Sequence, residues 1–172
     1  MADAVASTPL HRARVAAESV VDPELPMLTL ADLGVLREVR VAEDGSVEVA
    51  ITPTYSGCPA MATMRDDLVR ALHRAGFPGA RVRVALHPAW TTDWITPRGR
   101  AALSGAGISP PGPAPRRDGP VALDLLAPRR RVHCPRCGSA DTELTSEFGS
   151  TACKALYRCR ACLEPFDHVK EI

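Results

Sequence analysis

The six cysteines of this 172-residue chain carry most of the chemistry it can offer, and their spacing sorts them. Cys134-x-x-Cys137 and Cys159-x-x-Cys162 are two pairs with 21 residues between them. A pair at that spacing turns as a knuckle with both sulfurs inward, and two knuckles complete a tetrahedral four-thiolate site. The gap is slightly longer than the roughly 15–20 residues usual for such sites. Zinc suits a closed four-thiolate site best, with a rubredoxin-like iron or an iron–sulfur cluster as competitor. Residues 133–172, with Phe148, Tyr157 and Phe166 as aromatics, can bury little apolar surface. A bound metal would therefore supply much of this module's folding energy.

Two cysteines stand apart from the pairs. Cys153 falls on a predicted strand with Ala155, Tyr157 and Cys159 on one face. It reads as a core residue, an alternative ligand or a transfer thiol, and Lys154 would favour its thiolate if both face the same space. His133 and His168 are expected beside the metal site or in solvent, because four thiolates already complete it. Cys58 lies in Thr52-Pro53-Thr54-Tyr55-Ser56-Gly57-Cys58-Pro59, directly after a predicted strand and before a predicted helix. With Pro59 at the first helical position, Cys58 falls at or near the N-cap. There the orphan backbone N–H groups and the positive end of the helix dipole favour a thiolate. Gly57 permits close backbone approach, and Thr52 and Thr54 could add hydroxyl donors. The competing reading makes Cys58 a small buried hydrophobe. His73 and His87 read as structural or solvated, so a cysteine hydrolase is not supported. Asp22-Pro23-Glu24-Leu25-Pro26 is an acidic turn in which Asp22 suits a capping role and Glu24 could face a site.

These residues need elements to hold them. Thr8-Pro9 predicts a helix start, and residues 10–21 place Val15, Ala16, Ser19 and Val20 along one side. Val35, Arg37, Val39 and Val41 alternate along a first strand, and Val47, Val49 and Ile51 along a second. Glu43-Asp44-Gly45-Ser46 makes them a hairpin. Residues 59–75 predict a helix with Met61, Met64, Leu68, Leu72 and Ala75 as its apolar stripe, ended by Gly76. A strand over 81–87 points Val82, Val84 and Leu86 inward. A short helix follows over about 97–105, opened by Thr96-Pro97. The resulting class is α+β: a small three-stranded mixed sheet packed with helices, followed by a small metal-bound β ribbon.

Six of the 16 prolines and four of the 12 glycines fall in residues 104–132, which predict a Pro/Arg-rich linker. The expected organisation is a domain over 1–103, the linker, and a four-cysteine module over 133–172. The linker carries five arginines against Asp118 and Asp124, so the net charge of +1 belongs to it. Arg129-Arg130-Arg131 reads as solvated linker. The module carries five basic and six acidic side chains, which disfavours a zinc-ribbon nucleic-acid binder. At 45% hydrophobic and 24% charged, the chain is not a disordered type. It contains no membrane-length apolar run. Met1–Ser7 shows no basic stretch leading into an apolar core, which predicts a cytoplasmic protein with reduced thiols.

The N-terminal motifs resemble a known family. Asp22-Pro23-Glu24-Leu25-Pro26, Asp32-Leu33-Gly34-Val35, Thr52-Pro53-Thr54 with Gly57-Cys58-Pro59, and Pro88-Ala89-Trp90 occur in the order of the SufT-like iron–sulfur assembly family, over about residues 10–103. The resemblance implies that Cys58 is a functional thiol, that Asp22 belongs to the site signature, and that the domain helps mature iron–sulfur proteins. Adding Cys134-Pro135-Arg136-Cys137-Gly138-Ser139, the stretch 147–159 and Cys162-Leu163-Glu164-Pro165-Phe166, nearly the whole chain is similar to the PaaD (PaaJ) family. That family is the D component of bacterial phenylacetyl-CoA epoxidase systems, which act in phenylacetate and aromatic compound degradation. The resemblance implies an accessory monooxygenase subunit whose clients are the other epoxidase subunits or their reductase. Beside the zinc expected from the thiolate spacing, the resemblance implies iron or an iron–sulfur cluster in transit. The residues agree that the chain is not catalytic alone. It has no Glu-x-x-His pair of a diiron helix and no G-x-G-x-x-G dinucleotide fingerprint. A purely structural subunit with an inert Cys58 is the alternative, and self-association is open in either case.

Overall fold

The computed structural model describes residues 8–55, 57–114 and 131–172. Backbone contacts divide the chain into two compact units, Met1–Gly99 and Arg100–Ile172.

The N-terminal unit opens with helix α1, Pro9–Glu18. Thr8 caps it, its Oγ1 accepting the His11 N–H at 3.2 Å. The expected apolar side is corrected. Val15 is 53% exposed and Ser19 faces solvent, whereas Ala13, Ala17 and Val20 are buried. The small i, i+4 alanine pair lets α1 sit close against strand β1, Leu36–Val41, and helix α2, Met61–Arg74. Strand β2, Val47–Ile51, pairs antiparallel with β1, confirming the hairpin, and strand β3, Arg81–Val84, pairs parallel with β2. The sheet is mixed, in the order β1-β2-β3.

Two expected strand faces are revised. The β1–β2 register shifts between Leu36 and Glu38, a bulge that breaks the Val35–Val41 alternation. Arg37 thereby leaves the core face and lies over the Trp94 ring, 3.5 Å from its centroid. Strand β3 ends at Val84 rather than His87, and Val84 and Leu86 are exposed. As an edge strand it is only thinly covered. On it, Arg83 reaches Glu48 at 2.9 Å and Glu38 at 3.1 Å. The core is built from Leu28, Leu30, Val35, Val47, Val49, Ile51, Leu68 and Leu72. Of the α2 stripe, Met64, Leu68 and Leu72 are buried as expected, and Met61 and Ala75 lie at its margin.

Asp32 ties the loop before β1 to the end of the unit. It is 3% exposed. Its Oδ2 accepts from the Thr29 N–H at 3.0 Å and the Thr29 hydroxyl at 2.9 Å, and also meets Arg98. Its Oδ1 accepts from the Thr96 hydroxyl at 3.1 Å. Thr96 in turn caps helix α3, Pro97–Gly105, accepting the Gly99 N–H at 3.0 Å. Trp90 Nε1 donates to the Leu33 carbonyl at 2.9 Å. Burial pushes the Asp32 carboxyl up, but the Thr29 and Thr96 donors and the Arg98 guanidinium outweigh it and hold it below 3.8. A depressed folded-state value makes the contribution complete above the unfolded value, and it is lost as pH falls through the folded one. Asp32→Asn is expected to cost about 1–3 kcal/mol at pH 7. The gap from the native protein should shrink as pH is lowered past 4. Urea midpoints at pH 7 and pH 3, followed by tryptophan fluorescence, check this; an equal gap at both would refute it.

The C-terminal unit is an antiparallel sheet of β4, Thr142–Ser146, β5, Lys154–Cys159, and β6, Pro165–Val169. Val132, Cys134, Cys159 and Phe166 form its buried cluster, with Tyr157 packed against it. Phe148 is exposed, with Lys170 4.4 Å from its ring centroid. The described part of the expected linker, residues 104–114, is built onto this unit. Ser109 bridges His168 in parallel, its N–H donating to Asp167 O at 2.8 Å while the Val169 N–H donates back at 3.1 Å. The Gly112 N–H donates to Glu171 Oε1 at 3.0 Å. The rest of the expected linker, 115–130, with Arg129 and Arg130, lies outside the described residues.

Candidate functional site

The two expected knuckles close around one point. In the first, the Gly138 N–H donates to Cys134 O at 2.9 Å and the Cys134 N–H to Ser139 O at 2.9 Å. Gly138 has φ +75°, the left-handed conformation that turns the chain back under the pair. The second knuckle repeats this with Leu163 in that position at φ 64°. A leucine there costs about 1–2 kcal/mol. The Cys162 N–H points at Cys159 Sγ, 3.5 Å away, and the Cys159 N–H donates to Glu164 O at 2.9 Å.

The four sulfurs lie within 4.8 Å of one another. Cys134 and Cys162 are 3.7 Å apart, and Cys137 and Cys159 3.6 Å. A tetrahedral ion with Zn–S bonds of about 2.3 Å sets its sulfurs about 3.8 Å apart. The donor set and spacing therefore fit zinc. Cys134 and Cys159 are buried, whereas Cys137 and Cys162 are exposed, so the site opens to solvent on one side.

The Cys162 N–H, the largest influence on Cys159, helps bring that thiol down to about 7. For Cys162 the Glu164 N–H acts downward, but partial desolvation of its sulfur and the three neighbouring sulfurs push it up to about 12. Four thiols at one point thus release the first proton easily and the last only against crowded negative charge. A divalent cation removes that obstacle.

Cys153 lies outside this group of four. Its Sγ is 3.1 Å from the Thr151 hydroxyl. Lys154 is buried and directed to Asp167, 3.7 Å away. Of the two places expected for the histidines, His133 is in solvent, whereas His168 is 4% exposed, with Nδ1 3.2 Å from Ser109 Oγ. That burial is not foreseeable from local sequence, because Ser109 is 59 residues away.

In the N-terminal unit, Cys58 sits in the loop joining β2 to α2 and is 9% exposed. Helix α2 begins at Met61 with Ala60 as N-cap, two residues later than expected. Cys58 therefore precedes the cap rather than forming it, and its carbonyl accepts the Met61 N–H at 3.3 Å. That bond closes a tight turn over Pro59 and Ala60, and helical bonding starts at the Ala60 carbonyl, which accepts the Met64 N–H at 2.9 Å. Gly57 has φ +105°, so the residue preceding the thiol holds a conformation suited to glycine. Thr52 is buried directly after β2, its N–H donating to Val35 O at 2.9 Å, and Thr54 is half-buried. Asp22 is buried, with Oδ1 accepting the Glu24 and Leu25 N–H groups at 2.8 Å each. This is the capping role, which holds the Pro23–Pro26 turn.

Comparison with known proteins covers both units. Residues 12–86 match the family described as iron–sulfur cluster assembly protein, and residues 118–170 match the PaaD zinc β-ribbon domain. A protein of Escherichia coli (strain K12), provisionally named as one of the subunits of 1,2-phenylacetyl-CoA epoxidase, is 46% identical over 166 residues, covering 96% of this chain and 95% of that one. The Fe-S protein maturation auxiliary factor YitW of Bacillus subtilis (strain 168) is 34% identical over 91 residues, 51% of this chain and 86% of that one. A crystal structure of a domain of unknown function, DUF59, from Bacillus anthracis shares the fold of the N-terminal unit. It has a TM-score of 0.51 and 24% identity, over 55% of this chain and 91% of that one.

Proposed function

Since the chain belongs to the PaaD family, joining an iron–sulfur cluster assembly domain to a zinc β-ribbon, we propose that it is an accessory component of a multicomponent phenylacetyl-CoA epoxidase. In this role it acts in phenylacetate degradation by aiding maturation of the system's iron–sulfur or diiron centres. The observation that carries the reading is the 46% identity, over both units, to a relative named as an epoxidase subunit. The maturation step takes its support from the relative named as a maturation factor, which is similar over about half of this chain.

Cys58 is the residue through which iron or a cluster would pass. It is a thiol on a loop fixed by Gly57 before it and by the start of α2 after it. Asp22, Thr52 and Thr54 act in this reading by shaping the loops of the same unit rather than as acids or bases. The four-cysteine site holds zinc as a structural ion, and the ribbon docks onto the epoxidase subunits or their reductase. The setting is cytoplasmic, without membrane or nucleic acid. Among the described residues no helix is long and apolar enough to cross a membrane.

Cys58→Ser tests this. In cells producing the whole epoxidase system, the variant is expected to lower client iron content and epoxidase activity by about tenfold or more. Its own zinc content and its place in the complex should be unchanged. Full client iron together with a disrupted complex would sink the maturation reading in favour of a purely structural subunit.

A further inference from the structure

We propose that His168 and Glu171 form a second and weaker divalent-cation site in the C-terminal unit, separate from the four-cysteine cluster. Among the described residues, His168 Nε2 is the one buried side-chain nitrogen or oxygen without a hydrogen-bond partner. Its charged neighbour is Glu171, whose Oε1 faces it across an ion-pair contact of 3.4 Å, longer than a good hydrogen bond. A buried ring nitrogen held only by so long a contact is costly, which points to something seated between the two atoms. Two ligand bonds of about 2.1 Å meeting at about 110° on a metal ion span about 3.4 Å. The pair is therefore spaced for an ion seated between the two atoms.

The other ring nitrogen supports this. Nδ1 is 3.2 Å from Ser109 Oγ, and an Nδ1–H donated there leaves the Nε2 lone pair outward. Metal-binding histidines are commonly held in this way, with the second ring N–H donated to an oxygen. Glu171 is itself fixed, its Oε1 accepting the Gly112 N–H at 3.0 Å, and a carboxylate oxygen has a second lone pair to offer. Both residues line a cavity of about 410 Å³, with Ser104 and His133 also on its wall. That space admits the water ligands a two-residue site requires. Cys134 lines the cavity too, but its sulfur lies within the four-cysteine cluster, 3.7 Å from Cys162. A carboxylate beside an imidazole lone pair selects a cation over an anion, and one of zinc, cobalt or ferrous type, which accept nitrogen and oxygen together. The proposal does not depend on any role for Cys58.

The test uses the full chain with one zinc per molecule in the cysteine cluster, titrated with Co²⁺. A second equivalent should bind, with the weak visible bands of a nitrogen and oxygen site and no thiolate charge-transfer band. Glu171→Gln keeps an oxygen for Gly112 and should weaken that equivalent by about tenfold or more, with the zinc content of the cysteine cluster unchanged. His168→Asn should abolish it; should that variant unfold, Glu171→Gln carries the test. Three results overturn the site: no second equivalent, which leaves His168 and Glu171 as a plain ion pair; a thiolate band, which places the ion on a cysteine; or an unchanged affinity in Glu171→Gln.

Discussion

Cys159→Ser is expected to strip the metal from the C-terminal unit and unfold it, while Met1–Gly99 remains folded. Cys159 is wholly buried and belongs both to the four-sulfur group and to the apolar cluster of Val132, Cys134 and Phe166. A serine oxygen neither ionises near neutral pH nor reaches the same bond length. Structural zinc contributes about 10–16 kcal/mol in small zinc-finger peptides. Burying a large apolar side chain gives only about 1.5–3 kcal/mol, so a core with one buried aromatic cannot replace the ion. Ligand thiols must lose protons to bind, so metal loss should also set in as pH falls. Zinc per chain by elemental analysis, with protease mapping of residues 131–172, reads the result. A variant that keeps its metal, or a ribbon that stays protease-resistant after chelation, would refute the account.

Gly34→Ala is expected to destabilise the other unit by about 3 kcal/mol, adding left-handed strain of about 1–2 kcal/mol to overpacking of about 1–3 kcal/mol. Gly34 has φ +70°, and a Cβ there would lie 2.5 Å from Trp94 Cβ and 2.8 Å from the Trp94 carbonyl oxygen. Trp94 cannot readily move aside. Its N–H donates to Thr91 O at 3.0 Å and Arg37 covers its ring. For a unit of this size the loss should lower the melting temperature by roughly 10–25 °C. Both tryptophans, Trp90 and Trp94, lie in Met1–Gly99, so fluorescence reports that unit. Gly45→Ala is the control. It also has positive φ, +81°, but nothing lies within 4 Å, so only the strain remains. Equal losses in the two variants would show that close approach to Trp94 is not the cause.

The contrast between these two sites marks what local sequence can convey. The knuckles, the hairpin and the Met64–Leu68–Leu72 stripe are written in short spacings, and the structure brings them together as expected. The Asp32-Leu33-Gly34-Val35 and Pro88-Ala89-Trp90 motifs are visible as signatures, but their work is not. Asp32 meets Arg98, 66 residues on, and Trp90 bonds to the Leu33 carbonyl 57 residues back. The buried face of α1 departs from expectation because periodicity ranks Val15 above Ala13 and Ala17, whereas close packing favours the alanines. Arg37 leaves the expected shared face of Val35, Val39 and Val41 because of a bulge, which has no local mark in the sequence. The start of α2 shifts because a proline after Cys58 is compatible with a turn as well as with a first helical position.

The short parallel pairing at Ser109 bears on where the ribbon can be cut. The matched zinc-ribbon region begins at residue 118, yet the C-terminal unit begins at Arg100. The segment between includes the residue that covers the outer side of β6, accepting from Val169 and donating to Asp167. A fragment trimmed to the matched region would leave the Asp167 carbonyl and the Val169 N–H open on that edge, where a second copy could add its own strand. The chain at Ser109 is thus also an edge guard, which occupies a position on β6 where another strand could pair.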